Sequence, residues 1–242
     1  MLDVQPDAGP SFCEVRSMDN VVFDRNTVRN TYTPWIYGDI PVFIHAGTNL
    51  ATTVDNVTIS NNMFSSAIWD ACIWSDAGNS QDVNPGVVRI VGNTCASASR
   101  RWGAIAIGPV DVTENPTFPQ QNYVIADNVI TGLGTGEWNI ATTVAPANLV
   151  LNGNVWSPNG TFVWNKGSAT NLAGWKTSSH EGSASKQCNP TFVNVANGDL
   201  HLAPADTCAR NAGIDTSAST NHDIDGQARP QNAWDAGADE IP

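Results

Sequence analysis

The phrase Val57-Thr58-Ile59-Ser60-Asn61-Asn62-Met63-Phe64 occurs five times in variant form. Its pattern is apolar, any, apolar, any, any, Asn, any, apolar. The other copies are Val21–Val28 around Asn26, Val88–Cys95 around Asn93, Tyr123–Ile130 around Asn128 and Leu149–Trp156 around Asn154. Two apolar residues spaced by two point to the same face of a strand. The Asn falls three residues later, where such a strand must turn. Asn tolerates left-handed backbone and can hydrogen-bond main chain through its amide, and the apolar residue after it points back inward. Successive Asn are 36, 31, 35 and 26 residues apart. A drifting repeat of that length marks a solenoid. Strand-rich units with no helical periodicity between them mark a β-solenoid, so the expected class is all-β.

The phrase resembles that of right-handed parallel β-helix proteins, the pectate-lyase-like superfamily, over roughly Val21 to Trp156. The resemblance implies three parallel sheets with an Asn ladder at one of the corners between them. It speaks for fold far more than for function, since one scaffold carries many different sites. Residues 1–160 are expected to form about five coils, and residues 161–242 a last coil and an irregular C-terminal cap. From Thr161 the order Phe162-Val163-Trp164, Leu172–Trp175, Asn189–Asn194, Asp199–Leu202 and Asp223–Pro230 resembles the closing segment of bacterial β-helix proteins with a choice-of-anchor region. The usual Ser-Pro before Ala is replaced by Ala203-Pro204-Ala205-Asp206-Thr207-Cys208.

Solenoid ends need caps, because a terminal coil exposes strand edges and core. Nothing near Met1 reads as an amphipathic capping helix, although Phe12–Val15 suits a strand. The first coil is therefore expected to be covered by a partner or by preceding coils, or else by residues 1–20 folding across it.

The chain carries 11 Lys and Arg against 23 Asp and Glu, a net charge of −12. That balance argues against a nucleic-acid partner, whose phosphates need a basic footprint. It suits a solvated, secreted or cell-surface protein. No apolar run is long enough for a membrane span. Met1-Leu2-Asp3-Val4-Gln5-Pro6 lacks the basic start and apolar core of a signal peptide. The five cysteines form no CxxC or metal-ligand spacing. Cys95 reads as a small core residue, and Cys188 and Cys208 flank a hairpin-like segment that a disulfide could close.

A second element recurs nine to fourteen residues after each ladder Asn: Trp35–Asp39, Ala71–Asp76, Trp102–Ile107 and Glu137–Ala141. The resemblance places the ligand groove on this sheet. Long loops leave it at about 38–55, 76–86 and 108–122, and loops of more than about a dozen residues in compact folds are often functional. The chain holds nine Trp, and aromatic faces make good platforms for the C–H faces of sugars. The expected groove-binding residues are Tyr37, Trp69, Trp102, Trp138 and Asn139. Trp74, Ile105 and Ile140 each lie twelve residues past their Asn, so counting turns Trp74 inward with the two isoleucines.

The candidate catalytic groups are Asp70, Arg101 and Glu137. Asp70 and Arg101 each sit eight residues past their Asn, as rung neighbours, and Glu137 is one position further on, level with Trp102. Paired carboxylates would suit glycoside hydrolysis. A cation beside an acidic sugar would suit β-elimination. The plainer alternative is a surface ion pair between Asp70 and Arg101. The family comparison weighs against chemistry: Asn-Thr-Asp, Gly-His-Gly and Arg-Ile-Lys signatures are missing, and Ile68-Trp69-Asp70-Ala71 lacks the His of the lyase segment. The expected partner is a polysaccharide, either bound and cleaved or bound by a non-catalytic surface module. No metal site is expected from the four scattered histidines. Calcium is the one cofactor suggested, by Asp223-Ile224-Asp225-Gly226 near Asp235, Asp239 and Glu240. The fuller expectation is that these acids pair with Arg229 and cap turns.

Overall fold

The computed structural model describes residues 17–29, 40–45, 53–65, 71–76, 86–97, 102–108, 122–143, 145–146, 148–230 and 233–241. In chain order the strands of the coils are β1 (Ser17–Asp19), β2 (Val22–Asp24), β3 (Thr27–Arg29) and β4 (Val42–His45). Next come β5 (Thr53–Asp55), β6 (Val57–Ser60), β7 (Met63–Ser65) and β8 (Ile73–Asp76). They continue as β9 (Val87–Val91), β10 (Thr94–Ala96), β11 (Ile105–Ile107), β12 (Asn122–Ala126), β13 (Val129–Thr131) and β14 (Trp138–Thr142). The last coil supplies β15 (Leu149–Asn152), β16 (Val155–Trp156) and β17 (Thr161–Val163). Helix α1 (Leu172–Ser179), β18 (Lys186–Gln187), β19 (Phe192–Asn194) and β20 (Asp199–Leu202) follow.

Each strand of a coil pairs with its counterpart one coil on, giving a parallel β-solenoid of three sheets. The orders are β15-β12-β9-β6-β2, β18-β16-β13-β10-β7-β3 and β17-β14-β11-β8-β4. All pairs in these sheets are parallel, and β19 with β20 is antiparallel. Register aligns Phe23, Ile59, Ile90, Ile125 and Leu151 along the first sheet. It aligns Val28, Phe64, Cys95 and Ile130 along the second. Val42, Ile73, Ile105, Ile140 and Phe162 align along the third. These rows meet in one continuous core, whose like-on-like stacking is what fixes the repeat in sequence. No helix among the described residues is long and apolar enough to cross a membrane.

The repeated Asn form a hydrogen-bonded ladder. The amide nitrogens of Asn26, Asn62, Asn93 and Asn128 donate to the amide oxygens of Asn62, Asn93, Asn128 and Asn154 at 3.0, 2.9, 3.0 and 3.1 Å. Each receiving oxygen also accepts the backbone N–H of the preceding rung's Asn. The donors and acceptors of buried corners are thus satisfied side chain to side chain. The left-handed conformation falls elsewhere than on these Asn. It belongs to the residue just before each: Arg25, Asn61, Gly92, Asp127 and Gly153, with φ of 54, 52, 62, 55 and 69°. At Gly153 a Cβ would collide with the Asp127 carboxylate, so glycine is needed there for space as well as for φ.

The ladder stops at Ser185, whose Oγ accepts the Asn154 N–H at 3.0 Å. Beside it Glu181 Oε1 accepts from Trp156 Nε1 at 2.9 Å. Helix α1, which the strand periodicity does not predict, closes this end of the core. It is capped by Asn171, whose Oδ1 accepts the Gly174 N–H, and ends on His180 in left-handed conformation. Its Trp175 is fully buried and stacks on Phe162 with centroids 5.6 Å apart.

The segment after β18 runs back along the second sheet. Val129 and Val155 meet Leu202, Cys208, Ala209 and Ala236, while Met63 and Ala96 meet Leu200 and Ala238. Asp206 ties β19 to the turn after β20: its carboxylate accepts N–H groups from Thr191, Cys208, Ala209 and Arg210. These bonds hold its pKa below the ordinary range although burial works the other way. Cys188 and Cys208 form the disulfide that the hairpin reading allowed. Cys95 is buried as expected but is no lone core thiol, because it is bonded to Cys72 across the solenoid interior.

Arg229 anchors the cap to the coils. Its buried guanidinium donates to the Glu240 carboxylate at 3.1 Å, to the Gly237 and Asp235 carbonyls, and to Asn61 Oδ1. Three of the other acids accept backbone N–H groups. Asp223 accepts the Gln227 N–H, Asp235 those of Asn211 and Ile241, and Asp239 that of Leu202. Asp127 accepts the Ile214 N–H at 2.8 Å. Burial pushes its carboxyl up to about 7, against that bond and the charge of Arg229.

Candidate functional site

The outer face of the third sheet carries a row of its own. Trp74, Ala106, Ala141 and Val163 are register partners on β8, β11, β14 and β17. Counting from the ladder placed Trp74 inside, and the structure places it outside. The connection from Asn62 to β8 is one residue shorter than its counterparts, so Ile73 takes the inward position beside Ile105 and Ile140. A one-residue slip exchanges the two faces of a strand. Trp74 is nonetheless well covered. Its Nε1 donates to the Gly108 carbonyl at 2.9 Å, and its rings lie 6.0 Å from those of Trp102 at an interplanar angle of 26°.

Small Ala106 and Ala141 side chains between these indoles and Val163 leave a trough of about 270 Å³. Its lining includes Trp74, Trp102, Trp138, Thr142, Thr143 and Lys166. Gly103, with φ of 94°, lets the Trp102 segment approach β14: a Cβ there would sit 3.2 Å from Ala141 N and 3.4 Å from the Trp138 Cβ. At the far end Asn165 and Lys166 both take left-handed conformation. The Lys166 N–H donates to the Thr142 carbonyl at 3.0 Å, and Thr142 Oγ1 accepts the Asn165 N–H. This turn presents the exposed Lys166 at the trough. Lys176 instead donates to the Ser185 carbonyl at 2.6 Å.

Of the residues expected in a groove, Trp102 and Trp138 line the trough. Asn139 is corrected to a structural role. It is fully buried, its Nδ2 donates to the Ser157 carbonyl at 3.1 Å, and its Oδ1 accepts the Ser157 N–H at 2.8 Å. With both amide atoms committed to one backbone corner, it has no reach to a ligand. Glu137 is half-buried, and its Oε2 accepts the Gly134 N–H at 2.6 Å. That bond ties the carboxylate to the turn before β14. Tyr37, Trp69, Asp70 and Arg101 lie outside the described residues, as do Trp35 and the rest of Trp35–Asp39. In the first coil the groove-sheet strand is Val42–His45, paired with Ile73–Asp76, so the expected register at Trp35–Asp39 is corrected. The connection from β3 to β4 is longer than in later coils, and the fixed offset from Asn26 fails there.

Among the described residues the trough is walled by indole, methyl and hydroxyl groups, with one ammonium at its rim. Such a surface binds through stacking and a few directed hydrogen bonds. The sequence counts missed Thr142 and Val163 as site residues, and Val163 comes from the coil after the last recognisable phrase. The alternation Thr161-Phe162-Val163 was the available signal. Comparisons with protein-family models, with curated proteins and with solved structures find no match for this chain.

Proposed function

We propose that this protein is an exported carbohydrate-binding β-solenoid of the pectate-lyase-like kind. It holds a polysaccharide on the outer face of the third sheet, with Trp102 and Trp138 as stacking platforms and Lys166 as a donor to hydroxyl or carboxylate oxygens. The observation that carries this reading is the aromatic trough: two half-buried indoles beside small residues, on a sheet whose inward face is already committed to the core. Sugar rings present apolar C–H faces edged with hydroxyls. That matches a site with an apolar floor and a polar rim. The repeat of the solenoid along its axis suits a chain-like ligand, since successive rungs offer successive subsites. Two disulfides, Cys72–Cys95 and Cys188–Cys208, support export to an oxidising compartment.

The test is binding to a panel of neutral and uronate-containing polysaccharides by affinity electrophoresis and tryptophan fluorescence. Trp102→Ala and Trp138→Ala should each weaken binding about 10-fold, near 1.4 kcal/mol, while the far-UV spectrum and Tm stay close to wild type. Loss of fold in both variants, or unchanged binding, would overturn the reading. Incubation with the same panel separates binding from cleavage: unsaturated products would mark a lyase, and new reducing ends without unsaturation a hydrolase.

A further inference from the structure

Three segments of the cap, distant in sequence, converge on one imidazole. Strand β20 brings His201, the turn after Asp223 brings Asp225, and the final stretch brings Asp239. One ligand atom from each lies within 4.8 Å of the other two. Asp199 Oδ1 sits 2.5 Å from His201 Nδ1, which fixes the ring and leaves Nε2 directed at the acids, 3.3 Å from Asp225 Oδ2. A carboxylate holding one imidazole nitrogen while the other faces further ligands is the arrangement that orients metal-bound histidines. Asp239 is held in place by its Oδ2, which accepts the Leu202 N–H at 2.7 Å.

A second observation points to a missing positive charge. Asp223 is wholly buried, and its Oδ2 has no hydrogen-bond partner among the described residues. It lies close enough to Asp239 for its charge to act on that carboxyl. Asp199, Asp225 and Asp239 thus face one imidazole, with Asp223 behind Asp239, and the ring even when protonated balances only one of these carboxylates. A buried, unpartnered carboxylate oxygen is costly unless a cation or donor meets it.

The geometry points to a divalent transition-metal site, zinc above all, formed by His201, Asp225 and Asp239, with Asp199 as the positioning residue and Asp223 supplying further negative charge. Imidazole nitrogen with carboxylate oxygens suits zinc, whereas calcium takes six to eight oxygen ligands. The ion would join β20, the Asp223–Gly226 turn and the C-terminal stretch, so its effect is on cap stability. It lies in the cap, apart from the trough, and does not depend on what the trough binds.

The experiment uses the tag-free full chain, stripped with a chelator and dialysed, and titrated with Zn²⁺ and separately with Ca²⁺ by calorimetry at pH 7.5. One Zn²⁺ should bind per chain and raise Tm. Exposed Asp225→Asn, with circular dichroism confirming the fold, should lower zinc affinity about 100-fold, and His201→Ala at least as much. Asp199→Asn should cost about 10-fold. His180→Ala should leave affinity unchanged. Co²⁺ should give visible ligand-field absorption that His201→Ala removes. Absence of zinc binding, zinc binding unchanged in both Asp225→Asn and His201→Ala, or tighter binding of Ca²⁺ than of Zn²⁺ would each overturn the proposal.

Discussion

The sheet containing β13 and the sheet containing β14 both turn a largely apolar row outward. On the first the row is Met63, Thr94, Val129 and Val155. On the second it is Trp74, Ala106, Ala141 and Val163. The first row is covered by the chain's own C-terminal segment. Gly237, with φ of 96°, brings the backbone so near that a Cβ would lie 2.6 Å from Thr94 Oγ1, and the Ala238 N–H donates to that hydroxyl at 2.9 Å. The second row keeps an open trough, because wide indoles stand beside methyl groups. An apolar outward row is therefore no signature of a ligand site by itself. What separates the two is steric: small residues facing a backbone close up, and indoles flanking alanines leave space.

The contrast makes unequal demands on stability. Leu200→Ala, on the covered side, should cost about 2–5 kcal/mol, since Leu200 is fully buried against Met63 and Ala96. Trp138→Ala on the open side should cost less than half as much. Chemical denaturation of the two variants checks this, and equal losses would erase the distinction between the faces. Asp206→Ala removes a carboxylate that accepts four N–H groups in the cap. It should cost about 2–3 kcal/mol near neutral pH. Because its folded pKa is depressed, that contribution is present above the unfolded value of about 4 and fades as pH falls through the folded one. The mutant and wild type should therefore converge in acid-denaturation curves.

Asp127 carries the opposite sign. Its folded pKa is raised to about 7, so its ionisation opposes the cap–coil contact increasingly as pH rises from about 4 to about 7. Asp127→Asn keeps an acceptor for the Ile214 N–H and suits the left-handed φ of 55°. It should leave Tm almost unchanged at pH 4.5 and raise stability at pH 8 by on the order of 1 kcal/mol. Melts at the two pH values read the smallest of these effects. A lower Tm at pH 8 would show that Arg229 needs the charge after all.

The ladder and the inward rows were legible because they repeat. Asn62, Asn93 and Asn128 stand at equivalent corners, and identical neighbours above and below make their amides mutually satisfying. The disulfide at Cys188 and Cys208 was legible as an alternative, since a hairpin was visible between them. Trp74 and Trp35–Asp39 were misread because their positions were counted across connections whose lengths differ from coil to coil, and a slip of one residue exchanges inside for outside. Asn139 was counted at the right offset, but its amide is taken up by the Ser157 backbone. The contacts of Asp127 with Ile214, and of Asn61 with Arg229, join residues far apart in the chain with no periodicity to announce them.

By itself the sequence determined the coil: a corner amide and alternating apolar residues, repeated, admit few other arrangements because each rung is stabilised by an identical neighbour. The tertiary structure decided which outward face stays open and which acids meet His201. Both depend on where non-repeating segments come to rest, and that is set by close packing and by satisfying buried charge across the whole fold.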